Sequence, residues 1–263
     1  MPVLVVTAVP PERDAVTRAS GAPAELVELP GRGELHRVRL GGHRPDGGGS
    51  GRSGSDGGGS RRSGSGGGAP ESRGLDVLAA GVGPAAAAAG TAVALTAAEL
   101  AGLPYRAVVS AGIGGGFGVP LGRAVVASAI VAADLGVRTA DGFLSVTRLG
   151  FGTDAHRPPA DAARALAEAT GGALGPVLTL STVTGTAVGA AELVRRHPGA
   201  VAEAMEGFGV AEAAAGYGVP AFELRTISNA VGPRDRDAWR VPEALAALTE
   251  AFRAATPVLE GLG

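Results

Sequence analysis

The sequence contains no cysteine and no lysine, and few aromatic residues. All 23 basic residues are Arg, and aromatic residues make up 3% of the chain. The absence of Cys excludes disulfide bonds, thiolate nucleophiles and Cys-based metal sites. The absence of Lys excludes a Schiff base formed by a side-chain amine. Because the four His residues have no paired spacing, the sequence predicts no metal site and no cofactor.

The chain also lacks a strong charge of either sign and a long continuous apolar run. Its net charge is -2 and its Arg residues are scattered, so we expect no nucleic-acid partner. Residues 1–10 have no basic segment typical of a signal peptide, and together with the missing Cys this favours a cytoplasmic location. The uncharged stretch 77–98 is interrupted by Gly and Pro, so we interpret it as strand, turn and buried helix. We therefore expect no membrane association.

Segment 41–74 differs in composition from the rest of the chain. It is rich in Gly, Ser and Arg and has no large apolar residue, so it cannot bury enough surface to offset chain entropy. We predict a disordered insertion within a single domain that spans 1–263. The alternative is an Arg/Gly arm that binds RNA, which is disfavoured by interspersed acidic residues and the lack of aromatic ones.

Outside that segment, predicted strands alternate with predicted helices, which indicates an α/β fold with a largely parallel or mixed sheet. The predicted strands are 3–8, 25–29, 34–40, 75–80, 106–110, 123–132, 143–149, 176–180 and 219–227. The predicted helices are one that begins at residue 10 and those at 85–101, 161–170, 189–196, 208–216 and 242–255.

Two polar residues lie where ligands bind in such folds. Glu206 stands where a short strand gives way to a helix, and Asn229 stands at the end of the next strand. Ligands of open α/β sheets bind at strand ends. A carboxylate there can accept hydrogen bonds from a diol, and a carboxamide can both donate and accept. A Glu at a helix start is also common as an exposed residue that complements the helix dipole.

Two Gly-rich segments, 81–83 and 112–118, each follow an apolar strand. Gly-rich turns let backbone amides approach an anion or a purine edge closely. Neither segment matches a dinucleotide-binding fingerprint or a phosphate-binding P-loop. Tight turns with no ligand remain the alternative interpretation.

Five segments, in order along the chain, resemble the nucleoside phosphorylase and nucleosidase superfamily, and most closely its futalosine hydrolase family. They are Thr-Ala-Val-Pro-Pro-Glu at 7–12, the Gly-Val-Gly-Pro turn and Ala-rich helix at 81–90, the Gly-rich strand end at 108–117, Ala-Met-Glu-Gly at 204–207 and Leu-Arg-Thr-Ile-Ser-Asn at 224–229. The resemblance implies a three-layer αβα fold with a central mixed, barrel-like sheet. It also implies a homo-oligomer, a dimer or larger, that cleaves the N-glycosidic bond of a purine nucleoside with water.

The resemblance assigns roles to individual residues, and the chemistry of the reaction agrees with them. Cleavage through an oxocarbenium-like sugar requires a nucleophile, a diol clamp and a stabilised leaving base. Glu12 would deprotonate water, and Glu206 would accept hydrogen bonds from the ribose. The further residues implied in binding are Met205, Gly114, Gly115, Val183 and Thr184.

Asn229 occupies the position at which adenine-releasing nucleosidases carry Asp. Its NH₂ group can donate to O6 or N7 of a 6-oxopurine, which presents two acceptors on that edge. The resemblance and this departure together predict hydrolysis of futalosine with release of hypoxanthine, in menaquinone biosynthesis. Because Asn cannot easily supply a proton, the departure leaves the acid that aids base release unassigned.

The polar loop after Asn229 is expected to bind the carboxyl-bearing aromatic tail of such a substrate. Arg234 and Arg236 can pair with a carboxylate, and Trp239 can stack on an arene. Arg–Asp pairs within a solvated loop are the alternative. Arg225 lies within a predicted strand, and we interpret it as structural.

Three other functions remain open. A purine nucleoside phosphorylase needs cationic or amide donors near the nucleophile; Glu12 would repel phosphate, but the adjacent Arg13 keeps this alternative open. A methylthioadenosine/S-adenosylhomocysteine nucleosidase would share the fold and differ in the base released. A non-catalytic purine-nucleoside sensor would bind substrate without forming product.

Overall fold

The computed structural model describes residues 1–31, 33–39 and 74–262. Residues 41–73 of the predicted insertion lie outside the described residues, and Gly74 belongs to a strand instead. The elements are β1 (Val3–Thr7), α1 (Pro10–Ala19), β2 (Glu25–Leu29), β3 (Gly33–Arg39), β4 (Gly74–Ala79), α2 (Pro84–Leu100), β5 (Ala107–Gly116), β6 (Ala124–Ala132), β7 (Gly136–Thr139), β8 (Gly142–Ser145), β9 (Ala155–His156), α3 (Ala160–Thr170), β10 (Ala173–Thr179), α4 (Ala187–Arg196), β11 (Ala202–Ala204), α5 (Gly207–Gly216), β12 (Ala221–Ala230) and α6 (Val241–Glu260).

The central sheet is mixed and partly closed on itself. Its strand order is β11-β10-β6-β12-β5-β1-β4-β3-β2, and β11 also pairs with β5. That extra pairing closes β5, β12, β6, β10 and β11 into a barrel, from which β1, β4, β3 and β2 continue as an open sheet. The predicted α/β fold with a mixed, barrel-like sheet is confirmed.

Helices cover both faces of this sheet because its central strands are buried on both sides, as β1 is over its whole length. On one face, α1, α3 and α6 pack against β1, β4, β5 and β12 around Phe222 and Phe252. On the other, α2 and α5 pack around Leu4, Val6 and Val210. These layers confirm the predicted αβα arrangement.

Three predicted boundaries were wrong. The Gly-rich segment 112–116 is the second half of β5 and not a turn, because it pairs with β12 on one side and β11 on the other. The strand predicted at 143–149 ends at Ser145, where backbone hydrogen bonds turn the chain. Helix α6 continues through Pro257 to Glu260 because Val258 and Leu259 pack on the core.

The uncharged stretch 77–98 divides between β4, a turn and α2, as the sequence predicts. Within the described ranges, every helix falls short of the length and apolar character that a bilayer span requires.

Candidate active site

Glu12 is fixed where α1, the end of β1 and β5 meet. Pro10 begins α1 and places Glu12 in its first turn, from which the side chain folds back over the helix start. One carboxylate oxygen, Oε2, accepts from the backbone N–H groups of Ala8 and Val9 at 3.0 and 3.3 Å. The other, Oε1, accepts from the N–H of Ile113 at 2.9 Å. The carboxylate is thus held in one orientation although the residue is only 4% exposed.

Burial raises the pKa of Glu12 above its ordinary value. The nearby Arg225 and the hydrogen bonds from Ile113 and Ala8 lower the pKa, but the loss of hydration outweighs them. A carboxylate with a raised pKa is a stronger base than one in water. The environment therefore suits Glu12 to accept a proton.

Arg225 is the centre of the cluster around Glu12. It lies in β12 and is 1% exposed. Its Nε donates to Glu223 at 3.0 Å, Nη1 to Glu206 at 3.1 Å, and Nη2 to Ser110 at 2.9 Å. Burial lowers the pKa of Arg225, but the carboxylates of Glu223, Glu206 and Glu12 more than offset this and raise it. The guanidinium stays charged and holds the acidic groups around it.

The interpretation of Arg225 as structural missed its contact with Glu206. The pattern Glu223-x-Arg225 within a buried strand is the signal that could have found it. Charged side chains are rarely buried unless they are paired, so two of them on one face of a central strand indicate a local network.

Glu206 joins two parts of the chain at the N-terminus of α5. Its Oε1 accepts from the N–H of Gly83, in the turn before α2, at 3.2 Å, while its Oε2 binds Arg225. The residue is 4% exposed, so it is not the solvated dipole-complementing residue of the alternative interpretation. A carboxylate has about four lone-pair sites, so Glu206 keeps acceptor capacity beyond these two bonds.

Gly112 lets Glu12 and Arg225 approach each other. Its φ is +155°, a region that L side chains rarely adopt. A Cβ atom here would collide with the Glu12 carboxylate and lie 2.9 Å from Nη1 of Arg225. Because Gly112 has no side chain, Glu12 and Arg225 can lie close together, and with Glu206 they form one buried cluster.

Asn229 lies beside this cluster near the end of β12, half-buried. The Ser228 hydroxyl lies 2.8 Å from its Oδ1, and its Nδ2 donates to the carbonyl of Ala230 at 3.0 Å. Gly115 faces it from β5; a Cβ atom on Gly115 would lie 3.3 Å from Nδ2 of Asn229. The neighbouring Gly114 lets β11 approach, since a Cβ atom there would lie 2.9 Å from the carbonyl oxygen of Glu203.

Val183 and Thr184 lie in the loop between β10 and α4. Val183 is 45% exposed, and Thr184 is half-buried with its N–H 2.8 Å from Oε1 of Glu203. Met205 is half-buried between β11 and α5. Glu203 was not predicted from the sequence, although it is only 5% exposed. Its position between two Ala residues of a short strand is the feature that could have indicated a buried carboxylate.

The loop with Arg234, Arg236 and Trp239 is mostly exposed. The guanidinium carbon of Arg234 lies 6.0 Å from the centre of the Trp239 ring. The following residue, Arg240, donates its N–H to the carbonyl of Ser228 at 2.8 Å, which ties the loop to the end of β12. Among the described residues no ion pair joins these arginines to the Asp residues of the loop. The hydrogen bond from Arg240 holds the loop next to the strand end that carries Asn229.

The described parts of the chain contain no group of three or more His, Asp or Glu residues placed to hold a metal ion. What the site offers instead is a buried, oriented carboxylate with a raised pKa, a second carboxylate beside one guanidinium, and amide groups at adjacent strand ends. Such a set can activate water, bind hydroxyl groups and contact a heterocycle.

The chain is similar to proteins of one family over most of its length. A family model described as the phosphorylase superfamily matches residues 69–261. The futalosine hydrolase of Streptomyces coelicolor is 59% identical over 262 residues, which cover 99% of this chain and 97% of that protein.

Solved structures show the same fold at low sequence identity. The 5′-methylthioadenosine/S-adenosylhomocysteine nucleosidase of Colwellia psychrerythraea, in complex with adenine, superposes with a TM-score of 0.73 at 18% identity, covering 98% of this chain and 96% of that one. The native futalosine hydrolase of Helicobacter pylori gives a TM-score of 0.71 at 15% identity, covering 98% and 97%.

Proposed function

Because the chain belongs to the phosphorylase superfamily and, within it, to the futalosine hydrolase family, we propose that it hydrolyses the N-glycosidic bond of futalosine. The products are hypoxanthine and dehypoxanthine futalosine, and the reaction is a step of menaquinone biosynthesis. The observation that carries the proposal is the buried Glu12 carboxylate, oriented by three backbone N–H groups beside Arg225 and Glu206. That is the arrangement expected of a general base next to a sugar site.

In the proposed reaction, Glu12 removes a proton from water as the water oxygen attacks C1′ of the ribose. The C1′–N9 bond breaks, its electrons move to the base, and the sugar passes through an oxocarbenium-like state. The departing base takes up a proton from solvent to become hypoxanthine, and Glu12 returns its proton to solvent. Glu206 accepts hydrogen bonds from the ribose hydroxyl groups, and the bond from Arg225 orients its carboxylate. Met205 packs against the nucleoside.

The remaining proposed contacts hold the base and the tail. Asn229 donates from its NH₂ group to O6 or N7 of the purine, and Gly114 and Gly115 bring their backbone close to the substrate. Val183 and Thr184 border the base. The carboxyl-bearing aromatic tail is held by Arg234, Arg236 and Trp239, whose loop is tied to the strand that carries Asn229.

The contacts of Arg13 weigh against the phosphorylase alternative. Its guanidinium pairs with Asp14 at 3.0 Å and with Glu34 at 3.5 Å, so its charge is already matched by two carboxylates. Glu12 adds a negative charge where a phosphate would have to bind. Both features favour water as the nucleophile.

The experiment that tests the proposed function is incubation with futalosine, inosine and methylthioadenosine, each with and without phosphate, with the released base identified. We expect hypoxanthine from futalosine at a rate that phosphate does not change. Dependence of turnover on phosphate would indicate a phosphorylase. Adenine release from methylthioadenosine as the fastest reaction would indicate the adenine-specific alternative, and tight binding of all three without product would indicate a sensor.

We also propose, from the family resemblance, a cytoplasmic homo-oligomer, a dimer or larger. Sedimentation velocity at micromolar concentration tests the assembly. A single species at the monomer mass would contradict the homo-oligomer. Fractionation of cells that produce the full chain tests the cytoplasmic location.

A further inference from the structure

Glu223 is a fully buried acidic residue of β12 that the proposed reaction does not use. The residue is 0% exposed, and one of its carboxylate oxygens, Oε1, accepts from Nε of Arg225 at 3.0 Å. The other oxygen, Oε2, is also buried and has no hydrogen-bond partner among the described residues. An acidic side chain inside a buried strand is costly unless its groups are paired. Its presence therefore requires an explanation beyond packing.

The carboxylate of Glu223 lies against the start of α5, beside the residue that follows Glu206. Gly207 is the first residue of α5, and a Cβ atom on it would lie 2.5 Å from Cδ of Glu223. The N–H of Phe208 donates to Oγ1 of Thr179 in β10 at 2.9 Å, which holds the helix start on the sheet. Glu223 is thus confined between β12 and α5, and its position is fixed relative to Glu206.

Arg225 makes one hydrogen bond through each of its three guanidinium nitrogens. Nε donates to Glu223, Nη2 donates to Ser110 of β5, and Nη1 donates to Glu206. The guanidinium group is planar, and its donors form a rigid fork. The acceptors at Nε and Nη2 therefore decide where Nη1 points, and here it points at Glu206.

Glu12 is the other carboxylate near Nη1 of Arg225. A Cβ atom on Gly112 would collide with the Glu12 carboxylate and lie 2.9 Å from Nη1, so both groups border the same small space. The charged residues that face Glu12 are Arg225 and Glu206. Within the described ranges, Arg225 forms ion pairs with Glu223 and Glu206 and not with Glu12. A guanidinium paired with Glu12 would lower the pKa of this carboxyl group and weaken it as a base.

We propose that Glu223 is a positioning residue for the reaction: by holding Nε of Arg225, it keeps Nη1 on Glu206 and away from Glu12. The inference rests on the proposed function and deepens it, because it names a residue that acts on the sugar site and on the general base through Arg225. Without this acceptor, the Nε–H would be a buried donor with no partner, which is costly. The guanidinium would then turn toward the carboxylates that remain, and Glu12 is one of them.

The test replaces Glu223 by Leu, which fills the site and offers no acceptor to Nε. With Arg225 turned toward Glu12, the pH at which kcat/KM for futalosine reaches half its maximum should fall by about one unit or more. With Glu206 no longer oriented, the ratio of kcat/KM for futalosine to that for its 2′-deoxy analogue should fall about tenfold, the loss of one hydrogen bond to a charged group. A loss of packing alone would lower stability but would move neither quantity.

Glu223→Gln is the matched control, because its amide oxygen can still accept from Nε. Both quantities should stay near their wild-type values in this variant. A folded Glu223→Leu variant with the wild-type pH profile and sugar ratio overturns the inference. A Glu223→Gln variant that shifts as far as Glu223→Leu also overturns it, because the acceptor for Nε would then not be what matters.

If Glu223→Leu does not fold, Glu223→Asp takes its place. This variant keeps a carboxyl group in the core, and its shorter side chain draws that group back from Nε. We expect both quantities to shift in the same direction as in the Leu variant, and a wild-type pH profile and sugar ratio overturn the inference. If wild type releases no hypoxanthine from futalosine at all, the proposed function fails instead.

Discussion

Two buried networks in this protein are each centred on an arginine, and they differ in how their charges balance. Between β3 and β4, Arg37 binds both oxygens of Asp76 at 2.9 and 2.8 Å, and the Tyr105 hydroxyl donates to the same carboxylate at 2.7 Å. Burial, together with the charge of Asp76, raises the pKa of Tyr105, which keeps it a neutral donor. One cation here faces one carboxylate, and every oxygen of Asp76 has a partner.

The network around Arg225 has an excess of negative charge. One guanidinium faces the carboxylates of Glu206, Glu223 and Glu12, and Oε2 of Glu223 has no partner among the described residues. Burial raises the pKa of Glu223 as it does that of Glu12. A network built only for stability would balance its charges. We therefore propose that substrate and water complete the hydrogen bonding of Glu12 and Glu206, and the contrast with Asp76 is testable.

The largest difference between the two networks is expected when Arg225 and Arg37 are each replaced by Met. Arg225→Met leaves three buried carboxylates without a counter-ion, and we expect a loss of about 3–5 kcal/mol in the free energy of unfolding together with loss of measurable turnover. Arg37→Met also removes a buried partner, but the Arg37 side chain is 30% exposed and Tyr105 still donates to Asp76. Denaturant melts and steady-state kinetics should show a smaller loss of stability and kcat/KM within about twofold of wild type. Equal losses of activity would remove the distinction between the networks.

Glu12→Gln should have the next largest effect. The amide cannot accept a proton from water, so kcat should fall by roughly 10²–10⁴-fold, the usual contribution of a general base. Stability should fall as well, because the amide places an NH₂ group opposite backbone N–H donors whose bonds the carboxylate oxygens accept in wild type. The measurement is single-turnover kinetics with futalosine, with Asp76→Asn as the control that alters the balanced network only. A fall in kcat smaller than about threefold would exclude Glu12 as the base.

Asn229→Asp should change the choice of base. An ionised Asp offers only acceptors, so it opposes O6 and suits the amino group of adenine. The ratio of kcat/KM for futalosine to that for its 6-amino analogue should shift by roughly 1–3 kcal/mol, about five- to 150-fold. The tail is the same in both substrates, so its contacts cancel. If the ratio for the variant equals that for wild type from about pH 5 to 9, a range wide enough to titrate a buried carboxyl group, Asn229 does not contact the purine edge.

Glu206→Gln should weaken sugar recognition and leave the choice of base unchanged. The amide keeps the shape but loses charge-assisted hydrogen bonds to Arg225 and to the ribose, and we expect a fall of at least about tenfold in kcat/KM. Comparing ribose with 2′-deoxyribose substrates separates the two losses, since only sugar recognition depends on the 2′-hydroxyl. Kinetics equal to wild type with both sugars would place the sugar elsewhere.

The fold could be predicted well from the sequence because its signals are local. Apolar runs of strand length and Pro at helix starts mark β1, α1 and α2, and the order of elements indicates an α/β fold. The sequence predicts a turn for the Gly-rich segment 112–116 because glycine, considered one residue at a time, is more common in turns than in strands. Only the pairing of β5 with two other strands shows why 112–116 is extended there.

The candidate site could be predicted only in part, for the same reason. Glu12, Glu206 and Asn229 stand at element ends, where the sequence marks them. Arg225 and Glu203 lie inside strands, and their contacts are with distant residues. Arg225 binds residues 19 and 115 positions away, and Glu203 pairs with Gly115 and accepts from Thr184. Such long-range contacts leave little trace in one sequence.

We propose that the raised pKa of the buried Glu12 carboxylate serves the reaction at the expense of stability. Folding raises the pKa of this carboxyl group, so the group stabilises the protein at pH values below its pKa in the unfolded chain, near 4.5. That stability is lost as pH rises through the pKa of the folded protein. Activity requires the ionised form, so it should rise over the same range. The two profiles should therefore run in opposite directions.

The most direct measurement is the melting temperature and kcat/KM of wild type and Glu12→Gln, followed together from pH 4 upward. We predict that the melting temperature of Glu12→Gln increases relative to that of wild type as pH rises. We also predict that kcat/KM rises with pH in wild type and does not in the variant. Two results together would contradict this role of Glu12. The difference in melting temperature between the two proteins would not change with pH, and kcat/KM of Glu12→Gln would still fall at low pH.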